Sequence, residues 1–188
     1  NVLLVIDSLT RYAMALREIG LSIGEPPTTK GYPPSVFASM PKLLERVCPL
    51  ANGGSITSFY TVLVEGDDLA DPIADSARSL LDAHIILSRD LAAAAHFPAI
   101  DVLSSASRVA RQVSSSEAIQ TAQSVRKILA QRKVIAELQS LGAYVPGRNK
   151  EYDSTLSLGA KIDSWMQQNP EEQSAYDNSM DGLRTIVS

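Results

Sequence analysis

Val2-Leu3-Leu4-Val5-Ile6 is an unbroken aliphatic and β-branched run that ends at Asp7. A short run with no polar alternation predicts a central strand of a parallel sheet, buried on both faces. A helix is expected over residues 9–19, with Gly20 as its stop signal. Residues 24–34 are crowded with Pro, Gly and Thr and read as a loop. Pro34 or Ser35 then opens a helix, because Val36, Phe37, Met40, Leu43, Leu44 and Val47 recur at helical spacing. Asn52-Gly53-Gly54 marks a turn, and residues 55–65 read as a strand. Residues 66–71 form an acidic loop. A helix starting at Asp71 or Asp75 carries Ile73, Ala77, Leu80 and Leu81 on one face. Residues 84–87 are a second buried-strand run, and residues 90–95 a short Ala-rich helix.

The character changes after Val113. Ser114-Ser115-Ser116-Glu117 has the composition of a helix N-cap. No Pro or Gly follows until Gly142, and Ile119, Val125, Ile128, Leu129, Ile135 and Leu138 form a helical stripe. Two further helices are expected over residues 152–168 and 170–187, the second with Asn169 as cap and Pro170 in its first turn. The pattern therefore predicts an α/β half-domain over residues 1–113, with a mostly parallel sheet lacking its first strands. An all-helical domain follows over residues 114–188. A chain that opens at Asn1 inside a strand pattern is expected to be the C-terminal piece of a longer protein.

Composition narrows the class. Apolar residues are 45% and charged residues 20% of the 188, the balance of an ordinary globular protein. No run approaches the ~20 apolar residues of a membrane-spanning helix. A net charge of −4 disfavours a strongly basic nucleic-acid binder. Cys48 is the only cysteine, which excludes an internal disulfide and a Cys-rich zinc site. A reducing, cytoplasmic compartment is the expectation.

Some residues have the pattern of chemistry. A buried strand that ends in a carboxylate, as at Asp7, is the form of a Walker B element. Such a carboxylate can hold a Mg²⁺-bound water beside nucleotide phosphates. On the pattern alone an ordinary strand-ending Asp or helix cap is the better reading. Arg108 follows Ser105-Ala106-Ser107, whose small side chains let an arginine project; a surface or salt-bridged Arg fits as well. Glu65-Gly66-Asp67-Asp68-Leu69-Ala70-Asp71 is dense in carboxylates. A solvated loop that caps the next helix accounts for it better than a metal site. Arg126-Lys127 and Arg132-Lys133 read as the solvent face of the long helix. His84 and His96 read as structural. Cys48 is expected as a small buried hydrophobe, and Trp165 and Tyr176 as helical-domain core.

Taken in order, several longer segments resemble one family. Asp7-Ser8-Leu9-Thr10-Arg11-Tyr12-Ala13-Met14-Ala15 looks like the Walker B segment of the flagellar and type III secretion ATPases. These are homohexameric relatives of the rotary ATP synthase catalytic subunit. The segments at residues 24–37, 54–68, 84–89, 97–101 and 141–144 are similar to the same family. The resemblance covers essentially the whole chain. It implies the C-terminal part of a RecA-like P-loop NTPase domain, followed by the family's C-terminal helical domain.

The resemblance also implies roles. Asp7 would be the Walker B carboxylate that orders Mg²⁺ through water. Arg11 matches an arginine near the γ-phosphate of ATP. Arg108 matches the arginine finger that acts on the adjacent subunit. Phe97 matches the aromatic position that stacks on adenine. Leu63 stands where the synthase subunit has a tyrosine, and it receives no role. Asp67, Asp68 and Asp71 match the loop that touches the central stalk, so they become partner contacts. The implied partners are five more copies in a homohexamer, stalk and regulator proteins of the export apparatus, and export chaperone–substrate complexes. The implied location is cytoplasmic, peripheral at the inner-membrane export gate.

No G-x-x-x-x-G-K-[ST] phosphate loop occurs in the chain. That loop and the Gly-Glu-Arg segment with the catalytic carboxylate are expected upstream of Asn1, so the chain alone is expected to be inactive. The alternative is a non-catalytic C-terminal module that binds the stalk protein or export chaperones. A proton-translocating synthase subunit fits less well, because Glu25-Pro26-Pro27 and residues 61–66 look like the export ATPases. Between flagellum and injectisome, residues 64–68 and 141–144 lean flagellar.

Overall fold

The computed structural model describes residues 1–187. The chain divides into two compact units, residues 1–82 and the residues from Ala83 onward.

In the first unit, β1 (Val2–Ile6) and β2 (Ile56–Tyr60) pair in parallel, with Val2 opposite Ile56 and Ile6 opposite Tyr60. Three helices accompany them: α1 (Leu9–Ser22), α2 (Pro34–Leu44) and α3 (Pro72–Leu80). Their apolar faces make the core: Leu9 and Ala13 from α1, Val36, Met40 and Leu44 from α2, Ile73 and Ala77 from α3, with Tyr32 between. In α2 and α3 these are positions the helical spacing marks. Ser8 caps α1 by accepting from the Arg11 amide, and Asp71 caps α3 by accepting from the Ile73 and Ala74 amides.

Three expectations fail here. Gly20 does not end α1. It lies buried inside the helix, where a Cβ would come within 2.9 Å of Pro33 Cγ, so its lack of a side chain serves the approach of the α2 entry. β1 is not buried on both faces either. Val2, Leu3 and Val5 are 58, 65 and 62% exposed, because the core is built by the helices and β2 is the strand's one partner among the described residues. β2 is also shorter than the expected span. The strand ends at Tyr60, and a few residues further on the chain turns through a 3-10 segment at Glu65–Asp67.

The second unit opens with β3 (Ala83–Leu87) and α4 (Arg89–Ala93), then β4 (Ile100–Ser107) and the one-turn α5 (Ala110–Val113). β4 had no counterpart among the expected strands, and it runs antiparallel to β3. Its serine-rich sequence hides it. Three long helices follow: α6 (Ser116–Ser140), α7 (Lys150–Met166) and α8 (Tyr176–Val187). Ser115 caps α6 and Asn149 caps α7. Val125, Ile162 and Leu183, one from each helix, are the buried centre, with Ile128, Leu129, Met166 and Ile186 around them.

α8 starts six residues later than Pro170 suggested. Asn169 and Glu172 close a separate turn, the Glu172 amide donating to Asn169 O and the Asn169 amide to Glu172 Oε2. The side-chain expectations for three residues also need correction. Cys48 is exposed past the end of α2, Tyr176 is 66% exposed at the start of α8, and Trp165 lies at the surface over Gly182. Each sits at an element's end, where the packed stripe has run out.

Candidate nucleotide site and its supports

Asp7 leaves the C-terminal end of β1, the edge at which open α/β sheets take their ligands. The parallel register carries on past the strands. The Thr61 amide donates to Ile6 O at 3.1 Å, and the Leu9 amide donates to Thr61 O at 2.9 Å. Thr61 is thereby held beside Asp7, and its Oγ1 donates to Asp7 Oδ1 at 2.6 Å. This fixes one carboxylate oxygen and turns the group into a positioned acceptor at an exposed edge. Thr10 ties the next step of the same edge, accepting from the Leu63 amide at 2.9 Å and donating to Leu63 O. Arg11 lies in the first turn of α1 with its side chain exposed. Thr61 was not singled out from the sequence, since an isolated Thr gives no signal until the register places it.

The acidic loop is folded around Lys30. Its Nζ donates to Asp68 Oδ2 at 3.1 Å and to Asp71 Oδ2 at 3.2 Å. Those hydrogen bonds, to Asp68 first, hold the Lys30 ammonium above its ordinary pKa. In turn Lys30, with the Ala70 amide, holds the Asp68 carboxyl below the usual range. Asp71 serves both as the α3 cap and as a Lys30 partner. Asp67 sits in the tight turn before them, at a φ of 59°. Among the described residues no group of three or more His, Cys, Asp or Glu is arranged to hold a metal ion.

Phe97 and Arg108 both belong to the second unit. Phe97 is 52% exposed, and its carbonyl accepts from the Gln168 amide at 2.9 Å, which anchors the loop to the end of α7. His96, next to it, is buried with Gln167 Nε2 3.3 Å from its Nδ1. That environment fits a structural histidine. Arg108 follows the last residue of β4, where Ser107 pairs with Ala83. The sequence candidates therefore fall into two sets, Asp7 and Arg11 with the acidic loop in one unit, Phe97 and Arg108 in the other.

The strand that leads to Arg108 is irregular. Between His84 and Ile86 the β3–β4 pairing skips residues 102–105 of β4, which bulge outward. Asp101 organises the bulge. Its Oδ1 accepts from the Leu103 amide at 2.9 Å and the Ser104 amide at 3.1 Å, and its Oδ2 accepts from Ser104 Oγ at 2.6 Å. Burial opposes the Asp101 charge, but these hydrogen bonds outweigh it and hold the carboxyl below its ordinary pKa. Ser105 Oγ replaces a ladder partner, accepting from the Ile86 amide and donating to Asp101 O.

The basic face of α6 is not simply solvated. Arg126 donates to the carbonyls of Val102, Leu103 and Ser105. Arg132 pairs with Asp163 and donates to Gly159 O on α7. Helical spacing marks these arginines as polar. It gives no sign that backbone carbonyls would be waiting opposite them.

A parallel strand pair ending in a positioned carboxylate, followed by a helical C-terminal part, defines a RecA-like ATPase fold. The chain belongs to the ATP synthase alpha/beta family: the model of that family's nucleotide-binding domain matches residues 1–107. Residues 114–185 match the T3SS EscN ATPase C-terminal domain. The chain is 48% identical over 187 residues to the flagellum-specific ATP synthase of Salmonella typhimurium, covering 99% of this chain and 41% of that protein. It is 46% identical to the type 3 secretion system ATPase of Xanthomonas euvesicatoria, covering 100% of this chain and 42% of that one. The solved structure of the assembled ATPase EscN from the enteropathogenic E. coli type III secretion system superposes with a TM-score of 0.93. It does so at 46% identity, over all of this chain and 45% of that one. The same ATPase in complex with its central stalk EscO gives a TM-score of 0.88 at 44% identity, over 100% of this chain and 44% of that one. The chain thus spans about two fifths of the length of the curated relatives it matches.

Proposed function

We propose that this chain is part of a homohexameric ATPase that hydrolyses ATP at subunit interfaces and so energises flagellar or type III protein export. The observation that carries the reading is the match of residues 1–107 to the ATP synthase alpha/beta nucleotide-binding domain, followed in order by the match of residues 114–185 to the T3SS EscN ATPase C-terminal domain. On this reading Asp7, held by Thr61, would be the residue that holds Mg²⁺, through its water shell. A lone, positioned carboxylate suits a hard cation that keeps most of its waters and takes its other ligands from phosphate. Bound with ATP, Mg²⁺ neutralises charge on the phosphate oxygens. Arg11, exposed in the first turn of α1, supplies a cation to the γ-phosphate. Phe97 offers an exposed ring face for adenine, and stacking asks only for a flat apolar surface. Arg108 reaches the nucleotide of the neighbouring subunit and stabilises charge in the transition state.

Asp67, Asp68 and Asp71 make the surface that meets a central stalk. The helical part would face the export gate at the inner membrane, where regulator proteins and chaperone–substrate complexes dock. The boundary between the two functional parts falls near Val113, after the strand that leads to Arg108.

The test is Arg108→Ala in the full-length protein. Turnover falls by ~10³-fold or more, the scale of an arginine finger, while nucleotide affinity measured by fluorescent-ADP titration holds. An equal loss of binding, or no loss of turnover, removes the finger.

A further inference from the structure

We infer that Arg126 is a positioning residue for the arginine finger, and that through it helix α6 sets the geometry of ATP hydrolysis. The inference rests on the reading of Arg108 as the finger. Arg126 belongs to the segment matched by the export-ATPase C-terminal domain, whereas the carbonyls it holds belong to the segment matched by the nucleotide-binding domain.

The geometry is specific. One planar guanidinium collects Val102 O, Leu103 O at 2.9 Å and Ser105 O at 3.2 Å. All three lie on the bulge that precedes Arg108. A bulge gives up ladder hydrogen bonds, so its carbonyls need other donors. Asp101 satisfies the Leu103 and Ser104 amides of the bulge, Ser105 Oγ takes up the Ile86 amide of β3, and Arg126 satisfies the carbonyls. Five donors in a fixed fork allow an arginine to serve several carbonyls at once, which an ammonium on a flexible stem does less well. From Ser105, two residues lead to Ser107, which is fixed against Ala83, and Arg108 comes next. The finger therefore projects from a segment whose shape is set from α6. A displacement of α6 on which a docking partner acted would move the carbonyls and with them the finger. Finger catalysis is steep in position, since about 1 Å of misplacement costs ~10²-fold in rate.

The experiment uses the full-length hexamer, with Arg126→Ala, Arg126→Lys, Arg108→Ala and the Arg126→Ala/Arg108→Ala double variant. Expected is a kcat lower by about ten- to a hundredfold in Arg126→Ala, with KM for ATP within about twofold. Arg126→Lys falls between it and wild type. The double variant equals Arg108→Ala, since a finger already removed cannot be misplaced. Hydrogen exchange over residues 100–108 rises in Arg126→Ala and rises less in Arg126→Lys. If Arg126→Ala fails to assemble, the kcat and exchange of assembled Arg126→Lys decide. Wild-type kcat in the assembled Arg126 variants, beside an inactive Arg108→Ala, overturns the inference and leaves the finger standing. So does an Arg126→Ala loss that repeats in full on the Arg108→Ala background. Wild-type turnover by Arg108→Ala removes the finger reading itself, and the inference with it.

Discussion

The Asp101 carboxylate accepts three hydrogen bonds from residues two and three positions further on, and they overcome the burial that opposes its charge. A carboxyl whose folded pKa lies below the unfolded value adds stability above the unfolded value. That stability is lost as pH falls through the folded pKa. The loss therefore lies on the acid side of the ordinary carboxylate pKa of 3.8. Asp101→Asn should lower the melting temperature at pH 7, and its melting temperature should fall less than that of the wild type between pH 5 and pH 2. Circular-dichroism melts across that range check it, and parallel curves would place the charge elsewhere. The sequence exposed Asp101 only as the end of a motif. Its hydrogen-bond partners are local, but the bulge that aligns them is created by the pairing of β4 with β3.

At the scale of elements, α1 and α2 meet at Gly20. A Cβ there would lie 2.9 Å from Pro33 Cγ and 3.0 Å from Glu25 Oε2. The proline ring cannot swing aside as the end of a flexible side chain can. Glu25 is itself engaged, its Oε1 accepting from the Ser35 amide at 2.8 Å near the start of α2. Gly20→Ala would gain ~1 kcal/mol in helix propensity. Overpacking against a well-filled contact costs ~1–3 kcal/mol. The net expectation is a loss of ~1 kcal/mol, or about 2–4 °C in melting temperature for a chain of this size. A stabilised Gly20→Ala would show that the α2 entry yields freely. Sequence reading found α1 but ended it at this glycine, because a helical glycine and a stopping glycine look alike until packing tells them apart.

For the molecule as a whole, the parts of the proposed site lie in separate units, and the chain contains no phosphate-loop motif. A carboxylate, two arginines and one aromatic ring can contribute to ATP hydrolysis, but they provide no cradle of backbone amides and lysine for the phosphates. The purified 188-residue chain should therefore show no ATP turnover above buffer in a coupled phosphate-release assay. Sustained turnover that survives repurification would mean that the site is complete without that cradle.

The sequence by itself determined most of the longer helices of both units, the capping role of Asp71 and of the serines at residues 114–116, and the strand that ends in Asp7. These follow from local rules: period, capping chemistry and β-branched runs act within a few residues. It also held the order of motifs that identifies the family. Tertiary structure alone decided that Thr61 reaches Asp7, that Lys30 gathers Asp68 and Asp71, and that Arg126 serves the bulge ahead of Arg108. Each of these joins residues tens of positions apart, and only chain pairing and helix packing bring such groups within hydrogen-bond distance. Strand β4 falls on the tertiary side for the same reason. Its serines carry no apolar signal, and it is a strand because β3 and Arg126 take up its backbone groups.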